Sequence, residues 1–120
     1  MKILNAIDPT NKLIHHIFTR EDCFVLNKSL IKDIRLFSNR DFKKTIIIED
    51  NIPCFFKCIR NGIFVPAFDG SKYDTQFKKI LDFLLKIRDV DDVRGHIHEA
   101  FHLEEYWERY KFLYRVKDPV

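Results

Sequence analysis

Thr45-Ile46-Ile47-Ile48-Glu49-Asp50-Asn51 is the stretch on which the fold turns. A β-branched residue followed by three isoleucines, without polar alternation, reads as a strand covered on both faces, the pattern of a parallel sheet in an α/β domain. Lys43-Lys44 lead into it, and its carboxyl end delivers two carboxylates and an amide. Ligands in open α/β sheets bind at the carboxyl ends of strands, so Glu49, Asp50 and Asn51 mark where chemistry is expected.

Downstream, Ile52-Pro53 turns the chain, Cys54 to Ile59 reads as a short helix, and Asn61-Gly62 signals a turn into a second short strand, Ile63-Phe64-Val65. Asp74 is the expected N-cap of a helix that places Phe77, Ile80, Leu81, Leu84 and Ile87 on one face. Ala100, Leu103, Trp107, Tyr110 and Tyr114 fall at offsets 0, 3, 7, 10 and 14, which predicts one further helix whose aromatic stripe packs as core. Upstream, Leu13 to Leu26 suggests strand, turn, strand, and Leu30 to Phe37 is open between a strand end and a short helix. Ile3, Leu4 and Ile7, halted by Asp8-Pro9, look like the tail of a helix.

The rest of the 120 residues sets bounds. An apolar share of 46% with 32% charged residues is globular composition in a length that allows one domain. Residues 1–60 carry eleven basic and seven acidic side chains and residues 61–120 carry ten and eleven, giving +3 overall. Acids interleave with the bases and no basic run forms, so nucleic acid is not the expected partner. Cys23, Cys54 and Cys58 are odd in number and loosely spaced, which points to thiols of an intracellular protein and not to a disulfide framework. No stretch approaches the roughly 18 apolar residues that span a bilayer, and the N-terminus meets Asn5 and Asp8 too early for a signal peptide.

Four patterns invite a chemical reading. Asp89-Val90-Asp91-Asp92-Val93 fits D-x-D-x-[TV], a phosphatase nucleophile pattern, but Leu84 to Arg88 before it continues a helical period, so a helix end and an acidic turn are expected. His96, His98 and His102 form H-x-H-x3-H, with the last two at zinc-ligand spacing, yet no nearby Glu or Cys arrangement completes a zinc signature. Cys54-x3-Cys58 reads as half-buried thiols. Glu49-Asp50-Asn51 differs in kind, because its position follows from the strand before it, and hard oxygen donors at a strand end suit Mg²⁺, which takes one or two such oxygens and keeps its waters for a phosphate.

Longer matches carry a resemblance. Ile31-Lys32-Asp33-Ile34, then Asn39-Arg40-Asp41-Phe42 and on through Ile46-Ile47-Ile48-Glu49-Asp50-Asn51-Ile52-Pro53, resembles Y-x-K-D-L-S followed by G-R-D-L-x-x-V-I-I-x-D-N-S-P. That is the signature of FCP/SCP-type, NLI-interacting-factor-like phosphatase domains of the haloacid dehalogenase superfamily. Ile7-Asp8-Pro9, Phe18 to Cys23, Asn61 to Pro66, Asp74-Thr75 and Asp91 to Arg94 follow further family motifs in order. The resemblance implies an α/β, haloacid dehalogenase-like Rossmannoid three-layer domain, with residues 1–95 as its C-terminal part and 96–120 as a helical C-terminal extension. It also implies phosphoryl transfer from phosphoserine or phosphothreonine to an aspartate, with Mg²⁺ clamping the charge. Lys32 matches the lysine that neutralises the phosphoryl oxygens, Asn51 a magnesium ligand, and Asp50 the acid that holds the metal and its waters.

The departures shape the expectation. The family's D-L-D-E-T-L, which supplies the nucleophile, and its F-T-A-S segment have no counterpart in these residues, so the domain is expected to be incomplete, with its N-terminal nucleophile strand absent. The chain alone is therefore expected to be catalytically silent. Ile52 and Glu49 also depart from the pattern. The alternative is a non-catalytic protein-binding module of the mitochondrial Tim50 import-receptor type, which Phe68-Asp69-Gly70 resembles through that branch's W-D-G. Partners are expected to be a phosphoprotein substrate or another protein. The compartment would be nuclear or cytoplasmic, or mitochondrial on the receptor reading.

Overall fold

The computed structural model describes residues 2–26 and 29–114, without the side chain of Tyr114. A two-turn helix, α1 (Lys2–Ile7), opens the chain, and Phe24–Leu26 (β1) pairs antiparallel with Ser29–Ile31 (β2). Ile47–Glu49 (β3) and Gly62–Phe64 (β4) pair in parallel, with Ile47 opposite Gly62, Ile48 opposite Ile63 and Glu49 opposite Phe64. A kinked 3₁₀ segment, Ile52–Asn61, makes the crossover between them. Helices α2 (Gln76–Ile87), α3 (Val93–Phe101) and α4 (Leu103–Tyr110) follow. The result is a mixed α/β domain, and among the described residues no helix is long and apolar enough to cross a membrane.

The strand begins two residues later than the isoleucine pattern predicts, because Thr45 belongs to the turn before it. Asp41 caps a 3₁₀ turn at Phe42–Lys44, its carboxylate accepting from the Lys43 amide, and Thr45 Oγ1 donates to the Asp41 carbonyl at 2.7 Å. Buried Asn61 donates through Nδ2 to the carbonyls of Phe42 (2.7 Å) and Thr45 (2.9 Å), which ties this turn to the start of β4. Two part-buried carbonyls outside the ladder thereby gain a side-chain donor.

Side chains at the start of β3 and just before it take opposite faces. Ile47 packs with Ile31, Ile52, Phe55, Phe56, Leu103 and Trp107, whereas Ile46 packs with Ile63, Ile80, Ile87, Val93 and Ile97 on the other side. Phe101 touches both clusters and meets the Phe83 ring edge-on at 5.1 Å. The expectation of full cover fails at Ile48, which is 39% exposed. Among the described residues β4 is its one sheet neighbour, and the opposite edge opens on a trough.

Two helices differ from their sequence reading. Phe77 and Leu81 are 68% and 55% exposed, and the core face of α2 is Ile80, Phe83, Leu84 and Ile87. Its sequence carries two apolar stripes, and spacing alone could not select between them. The predicted Asp74 cap shifts by one residue: Thr75 holds the cap position, and the Asp74 carboxylate accepts from the Gln76 amide at 2.8 Å. The final helix is also two helices, broken at His102, whose φ of 51° and ψ of 34° are left-handed. That conformation costs a non-glycine residue about 1–2 kcal/mol. It lets Leu103 and Trp107 turn into the core, with Trp107 stacked on Phe56 at 5.2 Å, while Ala100 stays exposed.

Asp89 and Asp91 are solvated after α2, and Asp92 caps α3 by accepting from the Arg94 amide at 3.0 Å. Paired with the Arg94 side chain, its carboxyl is held well below the usual range. No strand precedes it, so the D-x-D-x-[TV] match there is a helix boundary, as its context suggests.

Candidate active site

A trough of about 1270 Å³ runs beside the free edge of β3, lined on its other wall by β2 and the residues after it. Lys32, Asp50 and Asn51 all border it, together with Glu49 and Cys54. Each is placed by backbone. The Lys32 amide donates to the Cys54 carbonyl at 2.7 Å, and the Cys54 amide donates to the Asn51 carbonyl at 3.0 Å, so the end of β2 is fixed against the turn that follows β3.

Lys32 Nζ crosses to the Glu49 carboxylate, which is buried at the end of β3. Glu49 Oε1 also accepts from the Asp50 amide at 3.0 Å. The hydrogen bond that Lys32 donates to Glu49, opposed by desolvation, raises the Lys32 pKa above its ordinary value. Lys32 is thus held as a cation at neutral pH, where a phosphate monoester is mostly a dianion. Glu49 is the residue whose part the sequence reading missed: it stands there among the oxygen donors of the strand end and as a departure from the family pattern, not as the partner of Lys32. The available signal was a carboxylate that must be buried if the isoleucine strand is, and a buried carboxylate needs a partner.

Asp50 and Asn51 are exposed at the mouth of the trough and present one carboxylate and one amide. As a donor set these are hard oxygens, which fits Mg²⁺ and not a softer metal. Cys54 is partly buried and Cys58 buried, and desolvation raises both thiol pKa values, so neither is a ready nucleophile.

Beside the trough, Asp33 accepts two hydrogen bonds from the Arg35 guanidinium, at 2.8 and 2.7 Å, and one from the Arg35 amide at 3.0 Å. The guanidinium, more than any other group, brings the Asp33 pKa down to about 2. A folded value below the unfolded one contributes stability that is complete above roughly pH 4. That contribution is lost as pH falls through about 2. Arg35 is half exposed, and solvent screening leaves about 1 kcal/mol. Asp33→Asn should therefore be less stable than the parent at neutral pH, and urea midpoints of the two should converge between pH 4 and pH 2.

His98 and His102, the pair at zinc-ligand spacing, meet at the α3–α4 break with ring centroids 5.5 Å apart, whereas His96 stands apart and exposed. Glu105 reaches both rings, which the sequence reading did not foresee. The offsets 0, 4 and 7 from His98 were the signal for it.

A family model described as NLI interacting factor-like phosphatase matches residues 1–94. The chain is 31% identical over 102 residues to "CTD small phosphatase-like protein 2" of Dictyostelium discoideum, an alignment covering 85% of this chain and 18% of that protein. It is 34% identical over 95 residues to "Mitochondrial import inner membrane translocase subunit TIM50" of Yarrowia lipolytica, covering 78% and 20%. With "CTD small phosphatase-like protein 3" of Caenorhabditis elegans it shares 26% over 119 residues, covering 98% and 41%. The chain thus spans between about a fifth and two fifths of the lengths of these relatives. It belongs to the NLI-interacting-factor-like, FCP/SCP-type phosphatase family of the haloacid dehalogenase superfamily.

Proposed function

We propose that this chain is the phosphate- and metal-holding part of a protein serine/threonine phosphatase domain, covering residues 1–95, with residues 96–120 as a helical C-terminal extension. Residues 115–120 of that extension lie outside the described residues. The observation that carries the reading is the convergence of Lys32, Asp50 and Asn51 on one trough at the carboxyl end of β3. Lys32, kept charged by Glu49, would neutralise phosphoryl oxygens, and Asp50 and Asn51 would hold Mg²⁺. When bound, that ion supplies charge neutralisation to a phosphoryl group in transfer. The attacking group would be an aspartate on a strand seated along the free edge of β3, and transfer to it would form an aspartyl-phosphate that water then opens. Three free thiols favour a reducing, intracellular setting.

Without that aspartate the 120 residues have a site but no nucleophile, so the purified chain should not hydrolyse p-nitrophenyl phosphate with Mg²⁺. Turnover abolished by Lys32→Ala or Asn51→Ala would overturn the expected silence.

One observation favours the second reading, a non-catalytic protein-binding module of Tim50 type. Phe77, Leu81 and Leu85 form an exposed apolar stripe on α2, and Phe68 is exposed too. On that reading α2 variants weaken partner binding while Lys32→Ala and Asn51→Ala leave it unchanged.

A further inference from the structure

We propose that His98, His102 and Glu105 form a Zn²⁺ site at the elbow between α3 and α4. The site lies beyond residues 1–94, to which the family model extends, and is separate from the trough. One ligand atom from each of the three residues lies within 4.8 Å of the other two. Glu105 Oε1 is 3.9 Å from His98 Nε2 and 3.7 Å from His102 Nδ1, too far for a hydrogen bond to either. Around a tetrahedral zinc with bonds of about 2.0–2.2 Å, ligand atoms stand roughly 3.3–3.5 Å apart. Closing the difference takes shifts of about 1 Å or less from His102 and Glu105, whose side chains are exposed and free to make them.

Two further observations point to a ligand. His98 Nδ1 is buried with no hydrogen-bond partner, and Glu104 Oε2 stands 3.8 Å away. An orphaned buried ring nitrogen is costly. Binding zinc through Nε2 would fix the proton on Nδ1, and a small shift of the half-exposed Glu104 would bring its carboxylate into hydrogen-bond reach as the outer support that metal-bound imidazoles commonly have. His102, moreover, holds a left-handed conformation that glycine would adopt without strain, yet the residue there is an imidazole. Strain kept at one position is a pointer to use. Two imidazoles and one carboxylate suit Zn²⁺ better than Mg²⁺, and the fourth position is left for water or a group from a partner.

Zinc here would pin the elbow that seats Leu103 and Trp107 against Ile31 and Phe55. The test uses the full 120-residue chain, titrated with Zn²⁺ against a chelating dye and, separately, with Co²⁺ as a spectroscopic stand-in. One equivalent should bind, and at a hundredfold excess over Kd the Tm should rise by on the order of 10 °C. His102→Gly removes the imidazole and relieves the backbone, so it should fold at least as well as the parent while losing at least about 100-fold in zinc affinity. Glu105→Gln should lose affinity with the unliganded Tm unchanged. The proposal fails if the parent binds no zinc, if both variants keep parental affinity, or if the Co²⁺ form shows a thiolate charge-transfer band, which would move the metal to the cysteines.

Discussion

Gly62→Ala is expected to cost about 3 kcal/mol, lowering Tm by on the order of 10 °C, although alanine is among the smallest changes available. The φ of Gly62 is −101°, backbone that any residue adopts, so conformational freedom is not the issue. Space is. A methyl there would sit 2.1 Å from Phe55 Cε2 and 2.3 Å from Cδ2. Neither side can retreat. The Phe55 ring has no exposed surface and is packed among Ile31, Ile52, Phe56, Leu103 and Trp107, and Gly62 is held in register opposite Ile47. Urea denaturation of Gly62→Ala, Phe55→Leu and the double variant checks the cause. Phe55→Leu alone should cost about 1–2 kcal/mol by thinning the core. If the clash is what matters, the double variant should recover at least about 1 kcal/mol relative to the sum of the singles. Strict additivity would mean that Gly62→Ala acts through some route other than the ring.

How far the sequence could be read follows from this packing. The isoleucine run was legible because branched apolar residues in succession favour a strand with cover on both faces, and Ile46 and Ile47 do enter opposite clusters, although Ile48 stays partly exposed. The location of Asp50 and Asn51 at the end of that strand followed from the run itself. What failed were features settled by distant residues. Nothing local tells His102 to leave the helix, because the break is set by where Leu103 and Trp107 must go. Either apolar stripe of α2 could have faced inward, and the side offered by Ile63, Val93 and Ile97 selected Ile80 and Ile87. Glu49 reads locally as one more oxygen donor at the strand end, and only its partner Lys32, seventeen residues earlier, gives it a different part.

The free edge of β3 yields the other large effect: a peptide added to the purified chain should convert it from silent to active. The Glu49 carbonyl accepts from the Val65 amide at 3.0 Å, so Glu49 points its backbone at the β4 side. Backbone groups alternate along a strand, and the N–H and C=O of Ile48 therefore face away from β4, toward the unpaired edge. A strand laid there would pair with Ile48, cover its side chain and bring its own carboxyl end beside Asn51 and Lys32. The peptide to add is an apolar, β-branched segment ending in D-x-D-x-T, supplied at concentrations that offset the entropy of association. Two measurements separate the claims. Amide exchange at Ile48, fast in the chain alone, should slow on addition, and p-nitrophenyl phosphate should turn over only with Mg²⁺ present. Changing the first aspartate of the peptide to Asn should leave the exchange effect intact and abolish turnover, and Lys32→Ala in the chain should likewise abolish turnover. Protection at Ile48 without turnover would keep the strand site and reject the chemistry assigned to Lys32, Asp50 and Asn51. Strong protection of Ile48 before any peptide is added would mean that the edge is already occupied, and the open-strand account of this domain would fall with it.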